Sequence, residues 1–179
     1  METILPFIYL SILLLFLSSI AFFLIQEIQK KRNAENKLYE LQKKVRENNS
    51  TCEDHYILGT LYLSKKLFDQ AIIQFRCSIS LWDSNDYFGL ANLYNTIGYT
   101  YFESGQYELA IYYYKESIKN VSDYSTAWNN LGYAYERRKM TSEAMLAYLN
   151  VLKYDKNNII ANGRIESLKR KLKIRDDRI

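Results

Sequence analysis

The sequence has one proline and six glycines in 179 residues, too little turn chemistry for an all-β chain with many tight connections. Histidine occurs once, at His55, and cysteine twice, at Cys52 and Cys77. Their spacing matches no zinc motif, and two thiols do not make a secreted disulfide framework. No Gly-rich phosphate loop, dinucleotide fingerprint or GxSxG elbow is present. Catalytic, metal and cofactor sites are therefore not expected. Nor is there a basic folded module. The net charge of +4 comes from the flanks, with seven bases against four acids over 26–52 and seven against three over 159–179. Between them, residues 53–158 carry ten bases and twelve acids. A nucleic-acid binder concentrates bases on its folded part, so nucleic acid is not an expected partner.

What is present begins with an uncharged run from Ile4 to Ile25, in which sixteen side chains are Ile, Leu or Phe and only six are anything else. As a helix it spans about 33 Å, enough to cross a hydrocarbon core of about 30 Å. Those sixteen side chains favour insertion by roughly 5–10 kcal/mol at mid-helix values. A cleaved signal peptide is the weaker reading. Its basic leader is missing, the apolar core is too long, and no small-residue cleavage site follows. Residues 1–25 are thus expected to be a transmembrane anchor. Lys30, Lys31, Arg32, Lys37, Lys43, Lys44 and Arg46 follow it, so the positive-inside rule places the rest of the chain in the cytoplasm or stroma. Residues 26–51 read as a basic helical stalk, and Asn48–Thr51 as a cap for the next helix.

The strongest signal is a period. Trp128, Leu131, Gly132, Tyr135, Ala144 and Tyr148 recur at an offset of 34 as Tyr94, Ile97, Gly98, Tyr101, Ala110 and Tyr114. At a further offset of 39 they recur as His55, Leu58, Gly59, Tyr62, Ala71 and Phe75. This matches the W-x2-L-G-x2-Y…A-x3-F pattern of the tetratricopeptide repeat. The fold class is then all-α: a transmembrane helix plus an α-solenoid of three helical hairpins and a capping helix. Repeats are expected at about 52–85, 91–124 and 125–158, with a capping helix and basic tail over 159–179. Ile160, Ile165, Leu168 and Leu172 should turn inward on that last helix, with Arg164 and Lys173 among its solvated cations. Gly59, Gly98 and Gly132 lie mid-helix, where Gly costs about 1 kcal/mol against Ala. Close approach of the second helix explains them, with Ala71, Ala110 and Ala144 as small partners and Trp128 in the packing set. His55 takes a packing position.

The first helix of each such hairpin lines a concave groove. Register places there Tyr56, Asn92, Asn95, Tyr99, Phe102, Asn129, Tyr133 and Arg137, as a site for protein partners. Asn95/Asn129 and Tyr99/Tyr133 form rows; Asn can pair with the backbone of an extended peptide, and Tyr adds rigid contact area facing solvent. The extra five residues between repeats one and two fall in 81–89. Lengthened helices burying Trp82, Tyr87 and Phe88 are preferred there, with an exposed loop presenting them as a second-choice contact.

Over its full length the chain resembles the small tetratricopeptide-repeat proteins of cyanobacteria and algal plastids that assist photosystem I assembly. The resemblance rests on Pro6–Leu10, the basic stalk, Tyr112–Lys115 and Trp128–Glu136. It implies a thylakoid anchor, a stroma-facing solenoid, and photosystem I subunits or assembly factors as clients. It also implies no chaperone-tail binding, because the positions of the carboxylate clamp hold Tyr56, Thr60, Thr96, Thr126 and Asn130, none of them cationic. The alternative is a bacterial membrane-anchored scaffold in envelope or cytochrome biogenesis.

Overall fold

The structure, a computed structural model, describes residues 4–176. The outermost expected residues, 1–3 and 177–179, and the Lys173 side chain lie outside the described residues. Among the described residues the secondary structure is all helix, in eight segments, and the chain divides into two units, Met1–Asn49 and Ser50–Ile179.

The first unit is one helix, α1 (Ile4–Arg46), roughly 65 Å long at 1.5 Å per residue. Its most apolar window has a mean hydropathy of 2.6, and the helix is long and apolar enough to cross a membrane. Every side chain from Phe7 to Ile25 is exposed. Two of the serine hydroxyls in this run are satisfied by the helix itself: Ser11 Oγ donates to the Phe7 carbonyl and Ser18 Oγ to the Leu15 carbonyl, both at 2.8 Å, which is the back-bonding open to Ser in a helix.

The second unit is a solenoid of three helical hairpins and a closing helix. The hairpins are α2 (Cys52–Ser64) on α3 (Phe68–Leu81), α4 (Tyr87–Glu103) on α5 (Tyr107–Asn120), and α6 (Ser125–Arg137) on α7 (Thr141–Tyr154); α8 (Ile159–Asp176) packs on α7. Thr51 starts α2 with a full capping box, its hydroxyl accepting from the Asp54 N–H while the Asp54 side chain accepts from the Thr51 N–H. That reciprocal pair satisfies two of the donors a helix start leaves open. Each hairpin turns through a left-handed residue, Lys66, Gly105 or Lys139. The N–H of the next residue then returns at 2.9 Å to the carbonyl of Tyr62, Tyr101 or Tyr135. The recurring tyrosines therefore close the helix ends through their backbone.

The mid-helix glycines have a different partner from the expected alanines. A Cβ on Gly59 would lie 2.6 Å from the Phe75 ring, on Gly98 2.7 Å from Tyr114, and on Gly132 2.5 Å from Tyr148. The aromatic ring of the second helix, not its alanine, fills the space the glycine vacates. Those three rings are fully buried, and so are Ala71, Ala110 and Ala144. A second link inside the hairpin comes from serine. Ser78 Oγ donates to the Cys52 carbonyl at 2.8 Å, and Ser117 Oγ to the Ala91 carbonyl at 2.6 Å. His55 is buried as expected, Nδ1 against Gln74 Oε1 at 2.8 Å and Nε2 against Ser50 Oγ at 2.9 Å.

Two expectations need correction. Ile165 and Leu168 are buried as expected and Leu172 is half-buried, but Ile160 does not turn inward; it is half-exposed, and Ala161 is buried in its place, so that Ala161, Ile165 and Leu168 make the inward face. These three match Ala127, Leu131 and Ala134 at the same offset of 34, so α8 occupies the place of a fourth first helix. The surplus between repeats one and two does lengthen a helix. α4 has 17 residues against 13 in α2 and α6, and it starts at Tyr87 rather than 91. The added turn covers only one of the three rings, and that one only in part. Trp82 packs over Gly89 and donates Nε1–H to Asp86 Oδ2 at 3.1 Å, while Asp86 Oδ1 caps α4 by accepting from the Gly89 N–H. Tyr87 and Phe88 remain 60% and 66% exposed, with the Phe88 ring 6.0 Å from that of Tyr124.

Candidate functional site

The first helices α2, α4 and α6 are the elements that carry every groove residue named from the sequence. Their asparagines do not stand open in rows. Asn95 and Asn129 are both 9% exposed. Asn130 Nδ2 donates to Asn95 Oδ1 at 2.9 Å, tying α6 to α4. Asn92 is shared in the same way: its Oδ1 accepts from the Tyr124 hydroxyl at 3.3 Å, and its Nδ2 faces the Tyr56 hydroxyl at 3.5 Å. The asparagines are thus mainly cross-links between successive repeats, since a buried amide must find partners.

Asn129 is the exception. Its Oδ1 is buried without a hydrogen-bond partner among the described residues. By register, the donor that Asn130 gives Asn95 would come from residue 164. That residue is an arginine, and it goes elsewhere. Arg164 lies 4.6 Å above the Tyr133 ring and 3.9 Å from Glu136, whose other oxygen accepts from the Tyr148 hydroxyl at 2.7 Å. Tyr133 is therefore not an open solvent-facing ring: Arg164 covers one face and Tyr148 meets it edge-on at 5.9 Å. Burial, with the hydrogen bond to Glu136, pushes the Tyr148 hydroxyl far above its ordinary range, and the hydrogen bond with Tyr133 leads in raising Arg164.

Tyr99 remains the open aromatic of the groove, 43% exposed. Its pKa is raised by partial burial and by the neighbouring Glu103. Beside it Phe102 is half-buried, edge-on to Tyr107 at 5.4 Å, and the exposed Arg137 stacks on Tyr107 at 4.9 Å while donating Nη2–H to its hydroxyl. Tyr56 is half-buried against Phe75 and Trp82. Of the residues named from register, Tyr99 and Arg137 are thus the exposed ones and Phe102 is half-buried, while Tyr56 and Tyr133 pack against neighbouring rings.

On the other side of the solenoid lies a feature the period did not announce. A cleft of about 220 Å³ opens between α5, α6 and α7, lined by Ile118, Trp128, Leu131, Tyr135, Leu146 and Ala147. Ile73, Tyr112 and Leu146 are exposed at one repeat position on the second helices, each two residues before the buried ring. Among the described residues no cluster of His, Cys, Asp and Glu could hold a metal ion, and both cysteines are free thiols.

Comparison with known proteins matches this geometry. Tetratricopeptide-repeat models fit residues 50–123 and 125–158. The protein ycf37 of Guillardia theta is 44% identical over 179 residues, the whole of both chains. The chain belongs to the ycf37 family of tetratricopeptide-repeat proteins. Its repeats make it a protein-interaction scaffold. The chloroplastic tetratricopeptide repeat domain-containing protein PYG7 of Arabidopsis thaliana is 32% identical over 166 residues, 93% of this chain and 55% of that one. Among solved structures, the first repeat domain of Spaghetti (RPAP3), bound to an HSP90 peptide, superposes with a TM-score of 0.61 at 19% identity, over 68% of this chain and 93% of that one. At that identity the likeness is one of fold.

Proposed function

We propose that the chain is a non-catalytic, membrane-tethered scaffold whose groove holds protein clients during photosystem I assembly at the thylakoid. The observation that carries the groove is Tyr99, an exposed ring on an asparagine-floored helix face beside a pre-oriented Arg137. Aromatic and Arg side chains of this kind dominate binding energy at interfaces. The tether is α1, whose exposed Phe7–Ile25 surface suits hydrocarbon rather than water. The cations that follow it favour a stromal solenoid. Plastid relatives such as PYG7 favour this setting over a bacterial envelope scaffold.

In intact thylakoids, added trypsin should remove the repeat unit from the stromal side. A Tyr99→Ala strain should keep the protein and photosystem II at normal level, lose co-purifying clients and accumulate less photosystem I. Protection from trypsin would reject the topology. Unchanged clients and photosystem I at normal protein level would reject the groove.

A further inference from the structure

Glu103 and Arg137 end α4 and α6, and they are separated by the same offset of 34. They therefore hold the same repeat position with opposite charge. Both are exposed. The neighbouring charges are already engaged: Arg138 pairs with Glu108 at 2.6 Å, and Arg164 with Glu136. Among the described residues neither Glu103 nor Arg137 has an ion-pair partner, each other included. Each has a tyrosine neighbour instead. Glu103 follows Tyr99 by one helical turn and, after burial, its charge helps raise the Tyr99 pKa, while Tyr107 holds the Arg137 guanidinium by its ring and its hydroxyl. Along each helix these charges follow the groove residues at i, i+4, i+8 spacing, Asn95–Tyr99–Glu103 and Asn129–Tyr133–Arg137. Such spacing keeps a helix face in line.

We propose that Glu103 and Arg137 together read a mixed-charge extended segment of the partner protein, a base lying against Glu103 and an acid against Arg137. This rests on the groove being the client site. Packed helices sit about 8–10 Å apart and an extended chain advances about 3.3 Å per residue. The base and acid of the segment are then about three residues apart. The opposite signs also fix the direction in which the segment crosses the solenoid, because the reversed order sets like charge against like. Tyr99, beside this pair, supplies the apolar contact, and the Arg137 guanidinium suits a carboxylate by its planar donor fork.

The test uses the full chain in detergent micelles and a random ten-residue display library. Wild type should select peptides with a base and an acid about three residues apart in one order. The E103K/R137E variant, with unchanged helicity, should select the reverse order. A synthetic peptide chosen on wild type should bind that variant roughly tenfold more weakly, with the gap closing at high salt. The same charge preference in both proteins would overturn the charge reading. So would peptides without a charge pair whose binding still depends on Tyr99. Peptides whose binding survives Tyr99→Ala would overturn the groove reading as well.

Discussion

Gly59, Gly98 and Gly132 each lie under an aromatic ring sixteen positions further on, with 2.5–2.7 Å between that ring and the place a Cβ would take. Real Cβ atoms do not sit that close, so any side chain there drives the two helices of a hairpin apart. Gly132→Leu should cost on the order of 1–3 kcal/mol or more, read as a lower denaturation midpoint. Gly163 is the internal control. A Cβ there meets nothing within 4 Å, so Gly163→Ala should stabilise α8 by about 0.5–1 kcal/mol. Equal effects at the two sites would show that helix propensity, not ring packing, governs these glycines. The sequence shows which residues recur, since a regular period needs only counting. It does not show what each recurring residue touches. The glycines are assignable to a close approach, but register points to Ala144 as the partner of Gly132 when the ring of Tyr148 is what meets it. Likewise Asn95 sits where register puts it, yet Asn130 of the next repeat takes its oxygen, a contact between repeats that a period within one repeat does not encode.

At the level of the element, the hairpin turns share one demand that the residues meet unequally. Positions 66, 105 and 139 all have positive φ, and Gly holds only the middle one. A left-handed L-residue costs about 1–2 kcal/mol. Gly105→Ala should therefore destabilise by about 1 kcal/mol, although its Cβ would enter open space. Lys139→Gly should relieve a similar strain and raise the melting temperature. A destabilising Lys139→Gly would mean that the lysine side chain, not the backbone, sets that turn. The lengthening of α4 marks a second limit on what sequence conveys. A spacing of 39 reveals five surplus residues; their division, four into the helix and one into the loop, depends on Trp82 stacking over Gly89 and on Asp86 serving both ring and backbone. That arrangement is local chemistry, visible in W-x3-D-x2-G only once the helix start is known.

For the whole molecule, the buried hydroxyls of Tyr114 and Tyr148 tie stability to pH. Burial raises both well above the ordinary tyrosine value, with Glu136 adding to Tyr148. Because the folded state disfavours ionisation, their contribution is full below about pH 10, the unfolded value, and declines as pH rises beyond it. The melting temperature should fall above that point, and these two of the 17 tyrosines should ionise only as the solenoid unfolds; ionisation of all 17 in a fully helical protein would contradict the packing. The solenoid itself was legible as a succession of helical hairpins, because its core is periodic. The exposure of the proposed client face was not, because Arg164 reaches Tyr133 from α8, outside the repeats that define the register. The groove is best tested where it remains open. A photo-crosslinking side chain at residue 99, in the full chain within its own membranes, should form adducts with client proteins, whereas the same group at residue 112 on the outer face should not. Adducts from 112 and none from 99 would contradict a groove-bound client and move the binding surface to the convex side.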